Sequence, residues 1–557
     1  MTLVKRLLLG SAAGLTVVGV AQAADLPVKK AVPIEYVRVC TAYGAGFFFI
    51  PGTDTCLRVS GRARFEAGYL SSDSRNVVGG GDLSGFIGLM RLNVDARTQT
   101  GYGTLRAFLR LDAASRTGNT KISSGTTQRI GYAFPGLGQD QFGRVQNFIN
   151  VDKAFVQFAG LTAGRASSFF DFYAHDYEII GSSLGSDLAS TNLLAYTQAF
   201  GTGFSATIAM EDPNFRKNPL FSEAVQNAAG AGTAAQSIPL TTAPTPIILG
   251  TNAVGNATAV AFVDAVERSR LPDFVGALRY DAAWGSAQLS GAVKDINTGG
   301  FIAGSTAFNA TPGAVGSANA LIPANVSTAL LQARGISTGA QTDYGWAVQG
   351  GVKVNLPFVA PGDGLYLQGA YGEGASMYTG INRFTAGYLS NATVYTGNPF
   401  NVFYSDAIVN PLTGRLELST SFTVAASFLH YWSPEWRSAF YGSYGEIGFS
   451  QGARQAVSQT AALIGAASTI APPSYLTNTA GYAVSPSLRD TAQIVTGASL
   501  IWSPVKDLDI GVEGQYIHTS QKNGVALNSD KTVANGLAFA KGTEDAYQAR
   551  FRVQRDF

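Results

Sequence analysis

The sequence predicts an all-β protein, a 16-stranded antiparallel transmembrane β-barrel, from three observations. Apolar and polar residues alternate with a period of two along most of the chain, which indicates strands with one apolar and one polar face. The connections between these strands alternate between short turns and long loops, as is typical of a barrel that spans a membrane. The 557 residues include 65 glycines and only 14% charged residues, a glycine-rich and charge-poor balance for a soluble protein of this size.

The N-terminus is predicted to be a secretory signal peptide, Met1–Ala23. Lys5 and Arg6 precede the apolar run Leu7–Val20. The small residues Ala21–Ala23 supply the cleavage site. The apolar run is too short to span a membrane as a helix, and no later stretch reaches the roughly 18 apolar residues that a spanning helix requires. The protein is therefore predicted to be exported, as a secreted globule, a periplasmic protein or an outer-membrane barrel.

Both cysteines of the chain, Cys40 and Cys56, lie in residues 24–56, a predicted N-terminal periplasmic segment that precedes a barrel over residues 57–557. Two cysteines in an oxidising compartment predict one disulfide, and closing a loop of about 15 residues contributes roughly 3 kcal/mol in the entropic account. Two free buried thiols are the alternative. No metal site or cofactor is expected, because the chain has only three histidines to recruit as further ligands.

The alternation is clearest in the first three predicted strands. Residues 57–69 place small or apolar side chains on one parity and polar or charged ones on the other. Residues 90–97 and 105–112 repeat this pattern on either side of a turn at Thr100–Gly103. The arginines of these strands all fall on the charged parity: Arg58, Arg62, Arg64, Arg91, Arg97, Arg106 and Arg110.

The connections predict about sixteen strands. Seven short turns are expected near Thr100–Gly103, Gly160–Leu161, Gly201–Gly203, Ala282–Gly285, Pro357–Gly364, Ser433–Glu435 and Ser503–Asp507. Eight long loops, rich in small and polar residues, are expected at 70–83, 113–149, 168–192, 212–270, 294–341, 374–415, 449–489 and 520–542. Long structureless loops are uncommon inside a compact soluble domain, whereas they are expected at one rim of a membrane barrel.

The chain ends on an amphipathic strand and an aromatic residue. In EDAYQARFRVQRDF, Tyr547, Phe551 and Phe557 share one parity, whereas Arg550 and Arg552 share the other. This ending resembles the terminal strand by which bacterial outer-membrane barrels are recognised for assembly. Phe557 is the predicted assembly signal.

Two stretches resemble a known family, the alphaproteobacterial porins. Pro33–Cys56, PIEYVRVCTAYGAGFFFIPGTDTC, resembles their N-terminal signature and follows the Asp25–Pro27 start of the mature chain. Ala154–Phe172, AFVQFAGLTAGRASSFFDF, resembles the strand–turn–strand that leads into their constriction loop. The resemblance implies a general-porin-like, sixteen-stranded trimer whose third external loop folds back into the lumen. The third long loop of our own count, at about 168–192, lies between the fifth and sixth strands, where that constriction loop is expected.

The charge pattern predicts how the lumen is lined. The apolar parity must face lipid, because an arginine at the bilayer midplane costs about 2–4 kcal/mol. The seven arginines are therefore predicted to face the lumen as a basic wall on three adjacent strands. The predicted third loop carries four acidic residues: Asp171, Asp176, Glu178 and Asp187. A basic wall opposite an acidic loop would set a transverse electric field that selects among ions, although Asp95 and Asp112 share the inward parity and would neutralise part of the wall.

The predicted function is that of a passive diffusion porin of a Gram-negative outer membrane, which passes small hydrophilic solutes and ions. The predicted partners are the lipid bilayer with its lipopolysaccharide, the barrel-assembly machinery and two further copies of the chain. Nucleic acid is not expected, because a basic patch inside a lumen cannot meet a duplex. A substrate-selective porin is one alternative. A structural or adhesive barrel plugged by its own loops is another, since the loops 212–270 and 294–341 are longer than expected for the family, alanine-rich and low in charge.

An enzyme is the remaining alternative, and the histidines argue against it. A hydrolytic barrel needs a histidine beside a serine or an acid. His430 and His518 lie near strand ends on the lipid-facing parity, which leaves only His175, in the predicted third loop. A single histidine in a polar loop is most often just solvated, so the protein is predicted not to be an enzyme.

Overall fold

The computed structural model describes most of the chain. The described residues are 38–71, 83–118, 138–139, 145–173, 175–181, 183–187, 190–218, 220, 244–251, 257–264, 267–299, 335, 339–381, 405–410, 412–456, 488, 490–523, 526–527 and 540–557. The predicted signal peptide, residues 1–23, lies outside them, as do large parts of the loops 212–270 and 294–341.

Sixteen antiparallel strands form one closed barrel, which confirms the predicted fold class. The strands are β1 Cys56–Leu70, β2 Ser84–Thr100, β3 Gly103–Gly118, β4 Val145–Phe158, β5 Leu161–Ala166, β6 Thr191–Gly201, β7 Phe204–Glu211, β8 Asp273–Ala282, β9 Gly285–Asn297, β10 Thr342–Asn355, β11 Gly364–Glu373, β12 Thr420–Tyr431, β13 Trp436–Gly448, β14 Thr491–Val505, β15 Leu508–Gln521 and β16 Thr543–Asp556. Each strand pairs with its neighbours in sequence, and β16 closes the barrel by pairing with β1. Closure leaves the sheet without an unpaired edge, as a membrane interior requires.

Shorter elements accompany the sixteen strands, and two of them pair with the barrel sheet: Phe48–Phe49 with β1 and Gly138–Gln139 with β4. They comprise the strands Phe48–Phe49, Gly138–Gln139, Pro244–Thr251, Ala257–Asp264, Ala407–Val409, Leu416–Leu418, Ala526–Leu527 and Ala540–Lys541, the 3₁₀ turns Thr41–Tyr43 and Pro213–Arg216, and a helical turn at 451–456. Among the described residues, no helix combines the length and the apolar character needed to cross a membrane.

The two ends of the barrel differ as predicted. The seven expected short turns join β2 to β3, β4 to β5, β6 to β7, β8 to β9, β10 to β11, β12 to β13 and β14 to β15, and the long loops leave the opposite end. The second loop is shorter than expected from the sequence. It spans 119–144 rather than 113–149, because the alternation continues to the end of β3 at Gly118 and resumes where β4 begins at Val145.

The last residue of the chain takes part in closing the barrel. The Phe557 N–H donates to the Gly61 carbonyl oxygen at 3.0 Å, and the Gly61 N–H donates back to the Phe557 carbonyl oxygen at 2.9 Å. A Cβ atom on Gly61 would lie 2.5 Å from the Phe557 ring. The predicted assembly signal therefore rests against a position on β1 where only glycine leaves room for the ring.

The two faces of the wall separate apolar from polar side chains. On β1, Val59 and Phe65 lie on the outer surface and are exposed, whereas Glu66, one position later than Phe65, is buried on the inner side. On β2, Phe86 and Met90 point outwards in the same way. An apolar outer face matches the acyl chains of a bilayer, so charged side chains are left to the lumen.

The predicted disulfide is present. Cys40 and Cys56 are bonded, with 6.0 Å between their Cα atoms, and both are buried with Phe47. Cys56 is itself the first residue of β1. The bond therefore ties the segment that precedes the barrel to the short-turn end of its first strand.

Replacing both cysteines, as C40S/C56S, should loosen the N-terminal segment and leave the barrel folded. The disulfide closes a short loop, so its loss removes roughly 3 kcal/mol of constraint on the segment. We expect the Phe49 amide, which donates to the Arg38 carbonyl oxygen, to exchange with deuterium roughly a hundredfold faster. Unchanged exchange at Phe49, with an unchanged barrel melting temperature, would contradict this expectation. In the unmodified protein, non-reducing peptide mapping should recover the two cysteines linked.

Candidate functional site

The loop between β5 and β6 folds into the barrel, as predicted for residues 168–192. It comprises residues 167–190, and we call it the third loop. Inward-facing glutamines of three strands hold its backbone. Gln288 on β9 and Gln349 on β10 both donate to the Phe170 carbonyl oxygen, at 3.3 and 2.8 Å. Gln368 on β11 accepts a hydrogen bond from the Tyr173 N–H at 2.9 Å, so the first half of the third loop lies against β9–β11.

The second half of the third loop is held by the strands that follow. The Glu513 carboxylate on β15 accepts hydrogen bonds from the backbone N–H groups of Ile179 and Ile180, at 2.6 and 2.9 Å. The Leu184 N–H donates to the Ser443 hydroxyl on β13 at 2.7 Å. Ile180 and Leu184 are buried in an apolar cluster with Tyr441 and other residues. Most of these contacts of the third loop are therefore with β9–β15. Lys153 on β4 and Arg552 on β16 also donate to it, at the Ser167 hydroxyl and the Ile179 carbonyl oxygen.

The four predicted acidic residues of the third loop divide into two pairs. Asp171 accepts a charge-assisted hydrogen bond from Arg216 at 2.6 Å, and both side chains are largely buried. Glu178 is buried and accepts from the Tyr173 hydroxyl at 2.9 Å. These two carboxylates anchor the loop.

The other two carboxylates are closer to water. Asp176 is exposed and accepts a hydrogen bond from the Tyr366 hydroxyl at 3.3 Å. Asp187 is partly exposed and lies 3.8 Å from the Nε2 atom of His175. Asp176 and Asp187 are therefore the members of the acidic set that can act on a passing solute, and a role for them in a transverse field stays a prediction.

The pKa of Glu178 shows how strongly the third loop holds this carboxylate. Burial raises the pKa of Glu178, but the charge and hydrogen bond of His175 and the hydrogen bonds from Ser183 outweigh burial and lower the pKa to about 2. Because the pKa is lower in the folded protein than the ordinary glutamate value of 4.5, the carboxylate stabilises the fold above pH 4.5. This contribution is lost as the pH falls from 4.5 towards 2.

Acidification should therefore loosen the third loop. The shift corresponds to about 3 kcal/mol, and the Ser183 N–H, which donates to Glu178 at 3.0 Å, reports it. We expect the protection of the Ser183 amide, corrected for the intrinsic exchange rate, to fall between pH 5 and pH 2.5. The matched variant E178Q should show low protection with little pH dependence over that range. Equal protection at both pH values in the unmodified protein would contradict the assignment.

The seven predicted arginines lie on inward positions of β1, β2 and β3, and six of their guanidiniums lie within 4 Å of a carboxylate of the same wall. Arg62 contacts Asp556 at 2.5 Å, and Arg91 contacts Asp112 through two hydrogen bonds of 2.7 and 2.8 Å. A second set shares Asp95, which accepts from Arg97 at 2.7 Å and from Arg106 at 3.0 Å. The partial neutralisation expected from Asp95 and Asp112 is therefore present.

The remaining arginines of the set have longer contacts with carboxylates or none in the structure described. Arg64 donates to the Gln554 side chain at 2.9 Å and lies 3.4 Å from Glu66. Arg110 donates to Asn93 at 2.9 Å. Arg58, near the short-turn end of β1, is exposed. The whole set is thus on one wall, and its role in ion selection stays a prediction.

Barrel closure adds two cations of β16 to this wall, where they were not predicted. Arg552 on β16 donates to Glu66 at 2.8 Å, and Arg550 lies 3.6 Å from the same carboxylate. Their inward parity was visible in the sequence. Their neighbours were not, because β16 and β1 are joined only when the sheet closes.

Asp152 was also missed, because a β-bulge decides its direction. Arg110 pairs with Lys153 whereas Leu111 pairs with Val151, so the register shifts by one residue at Asp152. Asp152 is buried on the inner side, 3.4 Å from Arg110 and 3.9 Å from Arg91. Strict alternation would place Asp152 and Lys153 on opposite faces, and no residue pattern predicts the extra residue that the bulge inserts.

The wall that faces the third loop carries more positive than negative charge. Among the described side chains of β16 and β1–β4, eleven inward cations stand against five carboxylates. The cations are Arg58, Arg62, Arg64, Arg91, Arg97, Arg106, Arg110, Arg116, Lys153, Arg550 and Arg552, and the carboxylates are Glu66, Asp95, Asp112, Asp152 and Asp556. Several of the paired arginines keep between 13% and 28% of their side-chain surface accessible. From here on, the name basic wall means this larger inward surface of β16 and β1–β4, which includes the seven predicted arginines.

His430 and His518 lie near strand ends as predicted, whereas His175 is not solvated as expected but packed within the third loop. The Nδ1 atom of His175 is 3.0 Å from the Ser183 hydroxyl and 3.3 Å from Glu178. Ser183 is buried in the loop, so this cluster packs the loop and does not present a nucleophile to the lumen. His430 lies 2.7 Å from Asp363 at the short-turn rim. His518, at the long-loop end of β15, pairs with a carboxylate at that rim.

Comparisons with known proteins place the chain among bacterial porins. The family model described as "Porin subfamily" matches residues 25–549. The chain is 37% identical to Porin Omp2b of Brucella suis over 216 residues, 37% of this chain and 52% of that protein. It has the same identity to Porin Omp2b of Brucella abortus (strain 2308), over 54% of that protein. The chain spans about half the length of the curated relatives it matches.

Solved structures with a similar outline include two further channels. The outer membrane channel DcaP of Acinetobacter baumannii matches with a TM-score of 0.46 and 12% identity, over 91% of this chain and 99% of that chain. An anion-selective porin from Comamonas acidovorans matches with a TM-score of 0.39 and 11% identity, over 90% of this chain and 100% of that chain. At these scores, neither likeness bears on the solutes that this chain passes.

Proposed function

We propose that this outer-membrane protein, which belongs to the porin family matched over residues 25–549, forms a water-filled channel. Small hydrophilic solutes and ions would pass through this channel by passive diffusion. Family membership supports a channel rather than an enzyme. The observation that carries the proposal is the position of the third loop. It lies along β9–β15, whereas the basic wall keeps partly accessible guanidiniums.

The charge distribution supports diffusion of polar solutes. Asp176 and Asp187 on the third loop and the net positive charge of the basic wall would set a field across the lumen. Such a field orients water and polar solutes, and apolar solutes would have to disturb that ordered water. Rings and walls of charge are a general means of tuning which ions enter a pore.

The surroundings of the barrel follow from the same proposal. The mature chain would start after the signal peptide 1–23, with its short turns in the periplasm and its long loops outside the cell. Its apolar outer face would contact lipid and lipopolysaccharide, and three copies would associate. The barrel-assembly machinery would recognise the last strand with Phe557.

The decisive experiment is a conductance measurement on residues 24–557, refolded in detergent and inserted into a planar bilayer in KCl. Stepwise current increases would support an open channel, and steps in groups of three would support a trimer. A folded barrel that inserts and never conducts would reject the diffusion channel. Solute flux that rises linearly with concentration would favour general diffusion over a selective porin.

A further inference from the structure

Two phenylalanine rings face the lumen within the basic wall. Phe108 on β3 and Phe155 on β4 are directly opposite each other in the register. Their ring centroids are 5.3 Å apart and their planes differ by 30°. Both rings are only half-buried. Inward positions of a barrel with an aqueous lumen are usually polar, so a pair of partly exposed phenyl rings here calls for a physical reason.

Arginines frame the two rings. The guanidinium carbon of Arg106 lies 5.0 Å from the centroid of Phe108 and 5.6 Å from that of Phe155. The guanidinium carbon of Arg110 lies 5.6 Å from the centroid of Phe108 on the other side. Both guanidiniums keep about a quarter of their side-chain surface accessible, 27% and 25%. The surface therefore consists of two phenyl rings flanked by the planar guanidiniums of Arg106 and Arg110.

The patch lies beside the base of the third loop. Lys153, which is level with Arg110, donates a hydrogen bond to the Ser167 hydroxyl at the start of that loop. Phe155 also packs against the apolar cluster around Phe170. The patch therefore lies on the lumen wall next to the loop that enters the barrel.

The local charge favours an anion. On the wall beside the rings, five cations stand against three carboxylates: Arg91, Arg97, Arg106, Arg110 and Lys153 against Asp95, Asp112 and Asp152. Asp187 of the third loop adds a fourth carboxylate near Lys153, so the balance stays positive. Each carboxylate of the wall already accepts from or lies beside a guanidinium, so the unbalanced positive charge is left to water and solutes. An anion that also carries an aromatic ring would satisfy both features at once.

We propose that Phe108, Phe155, Arg106 and Arg110 form a subsite of the channel for small aromatic carboxylates. This inference rests on the proposed diffusion function and names a solute class that the channel would retain and pass. The solute ring packs against the two phenyl faces, as aromatic pairs prefer in offset or edge-to-face arrangements. Its carboxylate faces the guanidiniums of Arg106 and Arg110, which form charge-assisted hydrogen bonds with carboxylates.

A second aromatic cluster in the lumen has a different character. Tyr173 and Tyr366, with ring centroids 4.7 Å apart, are both buried, and Tyr366 donates to Asp176. These rings pack the third loop onto β11 and present little free face. The Phe108–Phe155 pair has accessible ring surface beside accessible cations, and it is therefore the better subsite.

The test compares benzoate with cyclohexanecarboxylate, which has the same charge and nearly the same size but no aromatic face. Binding of each to the refolded protein in detergent is measured by saturation-transfer NMR, which requires no ion current. Block of the KCl current by each is measured in a planar bilayer. We expect benzoate to bind and block at roughly fivefold lower concentration than cyclohexanecarboxylate.

The variants separate the rings from the charge. F108L/F155L keeps apolar side chains and removes both aromatic faces, so the ratio between the two probes should fall to about one. The control F86L removes an aromatic ring from the lipid-facing side of β2 and should leave the ratio as in the unmodified protein. Because the two probes are compared within each variant, changes in conductance between variants cancel from their ratio.

Two results would overturn the subsite. One is equal affinity for both probes in the unmodified protein, and the other is a preference for benzoate that survives in F108L/F155L. A protein that never conducts would reject the diffusion function, while the NMR measurement would still decide whether the rings bind benzoate.

Discussion

Neutralising two arginines of the basic wall, as R106Q/R110Q, should shift the ion preference of the channel towards cations. A unit charge about 7 Å from a permeating ion contributes roughly 0.6 kcal/mol in water, with opposite sign for anions and cations. With screening included, we expect the anion-to-cation permeability ratio to fall on the order of fivefold at 0.1 M salt and less at 1 M. The reversal potential in a KCl gradient measures this ratio directly.

These two positions are chosen because their partners keep another cation. Asp95 retains Arg97 at 2.7 Å when Arg106 is removed. Asp152 retains Arg91 at 3.9 Å when Arg110 is removed. No carboxylate is then left buried without a counter-charge, a situation that is strongly destabilising.

The control variant is R555Q. Arg555 lies exposed on the outer face of β16, where it donates to the Lys506 carbonyl oxygen at 2.7 Å. Its neutralisation removes one positive charge from the chain, against two in R106Q/R110Q, without changing the lumen. If R106Q/R110Q and R555Q gave the same reversal potential as the unmodified protein, the basic wall would have no part in ion selection.

Removing the Glu513 carboxylate, as E513A, should release the second half of the third loop from the wall. The change leaves the N–H groups of Ile179 and Ile180, and the Tyr441 hydroxyl that donates to Glu513 at 2.8 Å, without this acceptor. Each buried donor left unsatisfied costs about 1–3 kcal/mol. We expect faster amide exchange at Ile179 and Ile180, and larger, noisier single-channel currents.

Two further variants sharpen this test. E513Q keeps one acceptor oxygen of the same size and should give an intermediate increase in exchange. E446A removes a carboxylate from the outer face of β13, where Glu446 pairs with exposed Lys522 at 2.6 Å; exposed pairs of this kind contribute about 0–1 kcal/mol. An E513A protein with currents and exchange like those of E446A would mean that the apolar contacts alone hold the loop.

Residue patterns near in sequence predicted much of this architecture. The alternation around Arg91 and Arg106 correctly separated lipid-facing from lumen-facing positions, because a strand has a side-chain period of two and lipid excludes charge. The glycine-containing turns gave the correct strand pairs. The same reasoning failed at Asp152, because a bulge adds one residue and reverses the parity that follows it.

The acidic residues of the third loop show a different limit. All four could be named from the sequence, but a loop has no side-chain period that would predict their directions. Asp171 accepts a hydrogen bond from Arg216, which lies 45 positions further along the chain. Glu178 is hydrogen-bonded within its own loop, to Ser183 and His175. Only the packed structure distinguishes these two anchors from Asp176 and Asp187.

The resemblance to porins implied that the third loop enters the barrel. The sequence by itself determined the number of strands and the lumen-facing parity of the arginines. These features depend on local periodicity and on the contrast between lipid and water, and both act on each strand independently. The tertiary structure alone decided which charges meet. Arg62 and Asp556 are 494 positions apart, and only closure of the sheet makes them neighbours. The electrostatics of the lumen follow from such contacts, because a guanidinium acts on a solute only with the charge that its partners leave uncompensated.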